Sequence, residues 1–261
     1  MKFLNFATMS ITAALLTAPV FAAENTITTG YDYTSGKYGS DTTTNVEVIP
    51  VTLNRIDGAW SLKLTIPYIR VTGNGTVIPG TIGSTSFSSG AFGGGGASST
   101  STVVNSGLGD ITGSIGYGFS PGNSFFEVST KVKLGTADAS KGLGSGENDY
   151  YFQFDGVIGN VDVIPFFTAG YVITGDSSST TYKDVPYGSV GLMFKQSKSQ
   201  TVGISYDYKK STFDGSENQQ QVSAFLSVKN SQGWSTTFSG LLGLTNASPD
   251  FGLSIYFTNT Y

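Results

Sequence analysis

Two carboxylates, Asp110 and Glu127, are the residues of this chain that could form a general acid–base pair. Both are predicted to lie on the same face of neighbouring strands as two lysines, so ion pairing is the simpler interpretation. The chain contains no His and no Cys, which excludes Ser-His and Cys-His nucleophiles. Gly107 to Asp110 opens a strand and is followed by no helix, so it is not a phosphate loop. No run of Asp and Glu resembles a calcium loop. The residues predict a protein that is not an enzyme and uses no cofactor or metal.

The elements that position these side chains are predicted to be strands. Alternation of apolar and polar residues, together with turn signals, gives twelve segments. They span residues 25–34, 44–56, 59–71, 108–119, 124–135, 148–158, 161–174, 186–196, 201–211, 219–229, 234–244 and 250–261. Short turns alternate with longer polar loops, so the turns fall on one rim and the loops on the other. This pattern predicts an all-β fold, an antiparallel up-and-down transmembrane barrel of about 12 strands with periplasmic turns and extracellular loops. The alternative is a secreted β-sandwich.

Pairing the strands outward from three short turns tests this prediction. Leu62 then lies opposite Leu53, Tyr117 opposite Phe126, and Phe154 opposite Pro165. Each pairing gives one apolar face and one polar face, as a barrel with lipid outside and water inside requires.

The polar face predicts the residues that line the lumen. The charged members of this predicted pore-lining set are Lys63, Asp110, Glu127, Lys131, Lys133, Asp155, Asp207, Lys209 and Lys229. Bulky Phe125, Tyr151 and Phe225 fall on the same face and favour a closed lumen. The many Ser, Thr and Gly residues of that face favour a pore, so both alternatives stay open.

The two ends of the sequence predict export and assembly. Residues 1–22 have a basic start, an apolar stretch and small residues before the predicted cleavage site, as in a signal peptide. The remaining 23–261 would form one barrel in the outer membrane of a Gram-negative type envelope. Phe251 to Tyr261 alternates apolar residues and resembles the C-terminal strand of bacterial outer-membrane proteins. That resemblance implies that Phe257 and Tyr261 are recognised by the barrel-assembly machinery.

Composition limits the partners. Removing Lys2 from the 14 basic residues leaves 13 against 18 acidic residues, and a net charge of −5. An acidic chain of this kind is not expected to bind nucleic acid. The expected partners are outer-membrane lipid and a small-molecule permeant.

One predicted extracellular loop has an unusual composition. Residues 72–106 are rich in Gly, Ser and Thr and contain no charged residue. Such a tract is flexible and buries little surface. It would be either a lid whose few apolar residues meet an apolar ligand, or a passive surface loop.

Five segments resemble a known family. They are Trp60–Tyr68, Gly107–Ile111, Lys131–Asp138, Leu143–Tyr150 and Ser248–Gly252. In this order they are similar to the motifs of the outer-membrane transporter family named for the meta-pathway of phenol degradation. The chain departs from the family's pattern at Gly135 and Ala137. The resemblance implies outer-membrane passage of small, often aromatic or hydrophobic molecules.

These observations predict a passive outer-membrane channel or transporter. Twelve strands lie between the number at which side chains fill a barrel and the number at which a wide channel opens, so a narrow passage is expected. The alternative is a structural or surface-recognition barrel with a closed lumen.

Overall fold

A computed structural model gives the fold of the chain. It describes residues 23–73, 77–81, 89–93, 102–159, 163–176, 181–230 and 233–261. The predicted signal peptide, residues 1–22, lies outside the described residues. Within the described ranges, no helix is long and apolar enough to cross a membrane.

The described residues form fifteen strands and one short 3₁₀ turn, Ala139–Lys141. The strands are β1 (Glu24–Gly36), β2 (Thr44–Asp57), β3 (Trp60–Gly73), β4 (Val77–Thr81), β5 (Ser89–Gly93), β6 (Val103–Leu108), β7 (Ile111–Phe119), β8 (Phe125–Leu134), β9 (Asp149–Val157), β10 (Val163–Ile173), β11 (Val185–Lys195), β12 (Gln200–Lys209), β13 (Gln219–Lys229), β14 (Trp234–Gly243) and β15 (Phe251–Thr260).

The wall is a closed antiparallel barrel of twelve strands. Each strand pairs with its neighbour along the chain, and β15 pairs with β1. Residues Tyr68–Gly73 of β3 pair with β6, and residues Trp60–Thr65 pair with β7. Strands β6 and β7 together therefore form one barrel strand. They are separated by a bulge at Gly109, whose N–H donates to the carbonyl oxygen of Pro67 at 2.9 Å. The predicted fold class is therefore confirmed.

The outer surface of the barrel is an apolar belt. Large exposed apolar side chains alternate with inner residues along the strands, for example Leu62, Val128 and Leu253. Aromatic rings gather at the rim that carries the short turns, where the Trp60 and Tyr117 ring centroids are 5.1 Å apart. A belt of this kind with an aromatic border matches the outer surface of a transmembrane barrel. We call the two ends the short-turn rim and the long-loop rim.

The predicted registers are wrong by an even number of residues. Leu53 pairs with Leu64 and not with Leu62. Tyr117 pairs with Val128, and Phe154 with Ala169. Because the centre of each turn lies one or two residues further along the chain than predicted, each partner lies two or four positions further along. An even shift leaves every side chain on its predicted face.

The Gly-rich tract is shorter than predicted from composition. Strand β3 runs to Gly73 and β6 begins at Val103, so the barrel wall extends into both ends of the 72–106 segment. Within the tract, β4 and β5 pair as a separate two-stranded sheet. Residues 74–76, 82–88 and 94–101 lie outside the described part of the chain.

Candidate functional site: the barrel lumen

The lumen is lined by alternate residues of the barrel strands. Eight of the nine charged residues predicted to line the pore lie on the inner face of barrel strands. The ninth, Asp110, lies at the bulge between β6 and β7 and contacts the inner residue Lys133. The structure gathers most of them on one side of the barrel, from β3 across β7 and β8 to β9. Lys229 lies apart, near the short-turn rim and within electrostatic reach of Glu24.

The lumen has a buried side and an accessible side. On β10 and β12 every inner side chain other than glycine is buried, from Phe166 and Val172 to Asp207 and Lys209. Across the lumen, polar inner side chains retain solvent-accessible surface. We call this second set the accessible wall: Thr26, Thr28, Thr52, Asn54, Lys63, Thr65, Thr112, Ser114 and Lys131. Accessible polar inner side chains therefore occur on each of β1, β2, β3, β7 and β8.

Apolar side chains form the part of the buried side that lies nearest the short-turn rim. Phe125, Phe166 and Phe225 form a buried cluster there with three aliphatic side chains. The aliphatic members are Val157, Ile164 and Met193.

Glycines hold these aromatic rings against the wall. Phe225 lies over Gly203, its cross-strand partner, where a Cβ would be 2.2 Å from the ring carbon Cε1. Phe166 covers Gly191 in the same way. The further inner pairs are Tyr187 over Gly170, Tyr256 over Gly30 and, diagonally, Phe125 over Gly118. Each ring therefore fills the space that a side chain at the neighbouring glycine would occupy.

Replacing one of these glycines is expected to move the ring. In Gly203→Ala the new methyl group displaces Phe225 toward the passage, and overpacking of this kind costs about 1–3 kcal/mol. Single-channel conductance should fall and the urea midpoint of unfolding should decrease. Gly113→Ala is the matched control, because a Cβ at Gly113 meets no atom within 4 Å. Equal conductance in the two variants would contradict the packing argument.

A buried ion cluster lies near the long-loop rim. The Nζ of Lys133 is 3.2 Å from Asp110 Oδ2 and 2.9 Å from Asp149 Oδ2. It also donates to the Ser145 hydroxyl at 3.0 Å. These four residues come from three of the segments that carry the family resemblance. The cluster joins β8 and β9 to the residues around the β6–β7 bulge.

The loop between β8 and β9 folds over the mouth of the barrel. Its Leu143 and Ala137 are buried in a cluster with the inner residues Val46 and Val71. The backbone N–H of Ala137 donates to Asp110 Oδ1 at 3.0 Å. The remaining members of this cluster are Tyr38, Val48 and Ile69. Residues 135–148 therefore cap part of the lumen; we call them the mouth loop.

The carboxylates lower in the lumen accept hydrogen bonds from the wall. Asp155 accepts from Thr168 Oγ1 and from Gln153 Nε2, both at 2.5 Å. Glu127 Oε2 accepts from the Ser61 hydroxyl at 3.1 Å. Buried charges need such partners, because the wall shields them from water.

This arrangement does not support acid–base catalysis by Asp110 and Glu127. Asp110 is held by Lys133 and the mouth loop, whereas Glu127 is held by Ser61. Across the ranges that the structure describes, no three His, Cys, Asp or Glu side chains could hold a metal ion.

Sequence reasoning missed Leu143 and Asp149 as parts of the site. Leu143 lies in a predicted loop, where alternation gives no information on facing. The motif of small residues between Leu143 and Asn148 was the available signal, since such loops pack closely. It could not show which wall the loop meets. Asp149 lies near the start of the predicted strand 148–158, on the same face as Asp155, so alternation was the available signal for it.

Solved structures share this barrel. An outer-membrane channel from Pseudomonas putida F1 matches with a TM-score of 0.66 at 14% identity, over 94% of this chain and 97% of that one. The KdgM porin matches at 0.54 and 10% identity, over 90% and 99% of the two chains. The β domain of the Bordetella autotransporter BrkA matches at 0.53 and 11% identity, over 92% and 100%.

The chain has the fold of a bacterial outer-membrane β-barrel. No protein-family model matches the chain, and no curated protein matches it. At identities of 14% and below, the shared feature is the fold. The resemblance to the transporter family is therefore carried by the motifs alone.

Proposed function

We propose that the chain is an outer-membrane channel through which small molecules pass passively. The observation that carries this proposal is the accessible wall. Polar inner side chains such as Thr52, Lys63 and Thr112 keep accessible surface although they face the inside of a closed barrel. An inner wall of this kind leaves room for water and small solutes.

The location follows from the outer surface and the rims. An apolar belt of exposed side chains suits lipid, and the asymmetric rims suit periplasmic turns and extracellular loops. Residues 1–22 would direct export and be removed. The fold shared with a channel and a porin supports this location.

The permeant class we propose includes hydrophobic and aromatic molecules, and we infer distant membership of the transporter family named above. Inside the lumen, a buried apolar cluster around Phe166 and Phe225 lies on the side opposite the accessible wall. A solute with an apolar side and a polar side matches this distribution of side chains. The ordered motifs support the same class.

A closed recognition barrel is the second candidate. It is favoured by the mouth loop, in which Leu143 is only 1% exposed, and by the near-complete burial of the inner residues of β10 to β12. In that case the loops at the long-loop rim bind a partner and no solute crosses.

Single-channel recording separates these two functions. The purified barrel, inserted in a planar bilayer, is expected to give discrete small conductance steps, because the passage is narrow and lined on one side. The matched control is the same detergent preparation after heat unfolding. A barrel that migrates as folded on a semi-native gel but never conducts supports the closed candidate and rejects the channel.

A further inference from the structure

The accessible charge inside the lumen differs from the net charge of the whole chain. The chain is acidic, with a formal net charge of −4. Inside the barrel, however, the carboxylates of Asp32, Glu127, Asp149, Asp155 and Asp207 are all buried. The side chain of Asp110 is 9% exposed in its pair with Lys133. The charged side chains of the wall that keep accessible surface are therefore mainly lysines.

Two of these lysines lie close together on the accessible wall. Lys63 and Lys131 both pair across the sheet with Ser114, one from each side. Their charges are close enough to repel each other. Glu127 and Asp155 attract Lys63, and Asp149 and Asp155 attract Lys131. Among the residues that the structure describes, neither lysine has a carboxylate oxygen within ion-pair distance, 4.0 Å.

Lys131 contacts an aromatic ring of the neighbouring strand β9. Its Nζ lies 4.0 Å from the centroid of the Tyr151 ring. Cation–π contact holds an ammonium group without neutralising its charge. Two ammonium groups that repel each other beside a serine hydroxyl form a site that a small anion would stabilise.

A row of hydroxyl groups continues this site along the wall. Starting at β13 and crossing β14, β15, β1, β2, β3 and β7 to β8, each residue of the row pairs with the next. The two end residues are lysines, and every residue between them carries a hydroxyl group. The row is Lys229, Ser235, Thr258, Thr28, Thr52, Thr65, Thr112 and Lys133. Ser235, Thr258 and Lys133 are buried, so the hydroxyl groups of the row that a solute can reach are those of the accessible wall, Thr28, Thr52, Thr65 and Thr112. Because hydrogen-bonded partners in a tilted barrel climb around its axis, the row winds from the short-turn rim toward the mouth loop.

The threonines of the row have hydrogen-bonding capacity to spare. Thr28 and Thr258 share one hydrogen bond of 2.8 Å, and Thr52 and Thr65 share one of 2.9 Å. In each pair only one O–H is used, so the other hydroxyl can donate to a passing solute. Donors of this kind replace the water that an anion loses on entering a narrow passage.

We propose that the accessible wall conducts small anions, including the carboxylates of small organic acids. Lys63 and Lys131 bind the anion, and the hydroxyl row donates hydrogen bonds along its path. This inference rests on the proposed channel function and adds the charge class of the permeant.

The reversal potential in a KCl gradient tests the inference. We expect wild-type protein in a planar bilayer to pass chloride in preference to potassium. The double change Lys63→Gln and Lys131→Gln should lower the chloride-to-potassium permeability ratio about fivefold. Arg70→Gln is the matched control, because Arg70 is exposed on the outer face of the same strand as Lys63. The control should leave the ratio unchanged.

The hydroxyl row is tested with isosteric substitutions and an organic anion. In potassium acetate, Thr52→Val with Thr65→Val should lower the acetate permeability, whereas Thr52→Ser with Thr65→Ser should preserve it. Unchanged permeability in the valine variant would remove the row from the pathway.

The outcomes separate the inference from the channel function. A conducting wild type that prefers potassium, or lysine variants that match wild type, overturns the inference and leaves the channel. Absence of conductance in folded protein overturns both. If the lysine variant does not fold, the sign of the wild-type reversal potential still tests the inference. A preference for chloride supports it, and a preference for potassium overturns it.

Discussion

Deleting Tyr261, or changing Phe257 and Tyr261 to alanine, is expected to reduce the folded fraction of the barrel several-fold. Strand β15 closes the barrel by pairing with β1. At the end of this seam, Tyr261 and Asn25 exchange two backbone hydrogen bonds, of 3.1 and 2.9 Å. Both aromatic side chains point outward and are exposed, where they would anchor the closing strand in the membrane boundary. An open seam leaves two unpaired strand edges in lipid, which is strongly unfavourable.

Heat-modifiable migration on a semi-native gel measures this loss directly. The control is replacement of the segment from Gly75 to Ser101 by a turn of about four residues, since surface loops tolerate large changes in length. Its paired segments β4 and β5 form a sheet separate from the barrel wall. We expect the control to fold like wild type. Equal loss in both proteins would show that the C-terminal strand has no special part in assembly.

Lys133→Met is expected to give the second large effect. Lys133 neutralises two carboxylates, Asp110 and Asp149, whose side chains are only 9% and 3% exposed. Without it, two buried negative charges face each other, and breaking a buried pair in this way costs about 3–5 kcal/mol. The mouth loop should loosen as well, because Ser145 loses its bond to Nζ. The urea midpoint should fall and the current noise should rise.

Two further variants isolate the cause. Lys141→Met breaks an exposed pair with Asp138 at 3.3 Å, in which the side chains are 54% and 41% exposed. Exposed pairs contribute about 0–1 kcal/mol, so this control should be nearly neutral. Adding Asp110→Asn and Asp149→Asn to Lys133→Met removes the uncompensated charge and should restore most of the stability. A triple variant as unstable as the single one would mean that the lost packing, and not the charge, was responsible.

The structure changes the role expected for Lys133 from the sequence. Alternation places Lys131 and Lys133 on the inner face of one strand, which predicts that both set the electrostatic field of the passage. In the barrel, Lys133 is neutralised by two carboxylates, whereas Lys131 is accessible and contacts Tyr151. Ion selectivity is therefore tested at Lys63 and Lys131, and stability at Lys133.

The sequence alone determined the strands and their faces. An alternation of period two assigns each residue to lipid or lumen before any partner is known. That assignment survived registers that were wrong by two or four residues, because an even shift moves a side chain along a face and not across it. The inner position of Lys63 and Lys131 was predictable for this reason.

Only the tertiary structure decided what the inner residues do. Register places Phe225 over Gly203 and Thr52 beside Thr65, and register depends on turn geometry that composition does not specify. Folding of the mouth loop onto Asp110 depends on contacts between residues 27 positions apart. The accessible charge of the lumen depends on which ionised side chains find partners within the wall. Alternation is a local property of the backbone, whereas packing and burial arise only when the strands have closed into a barrel.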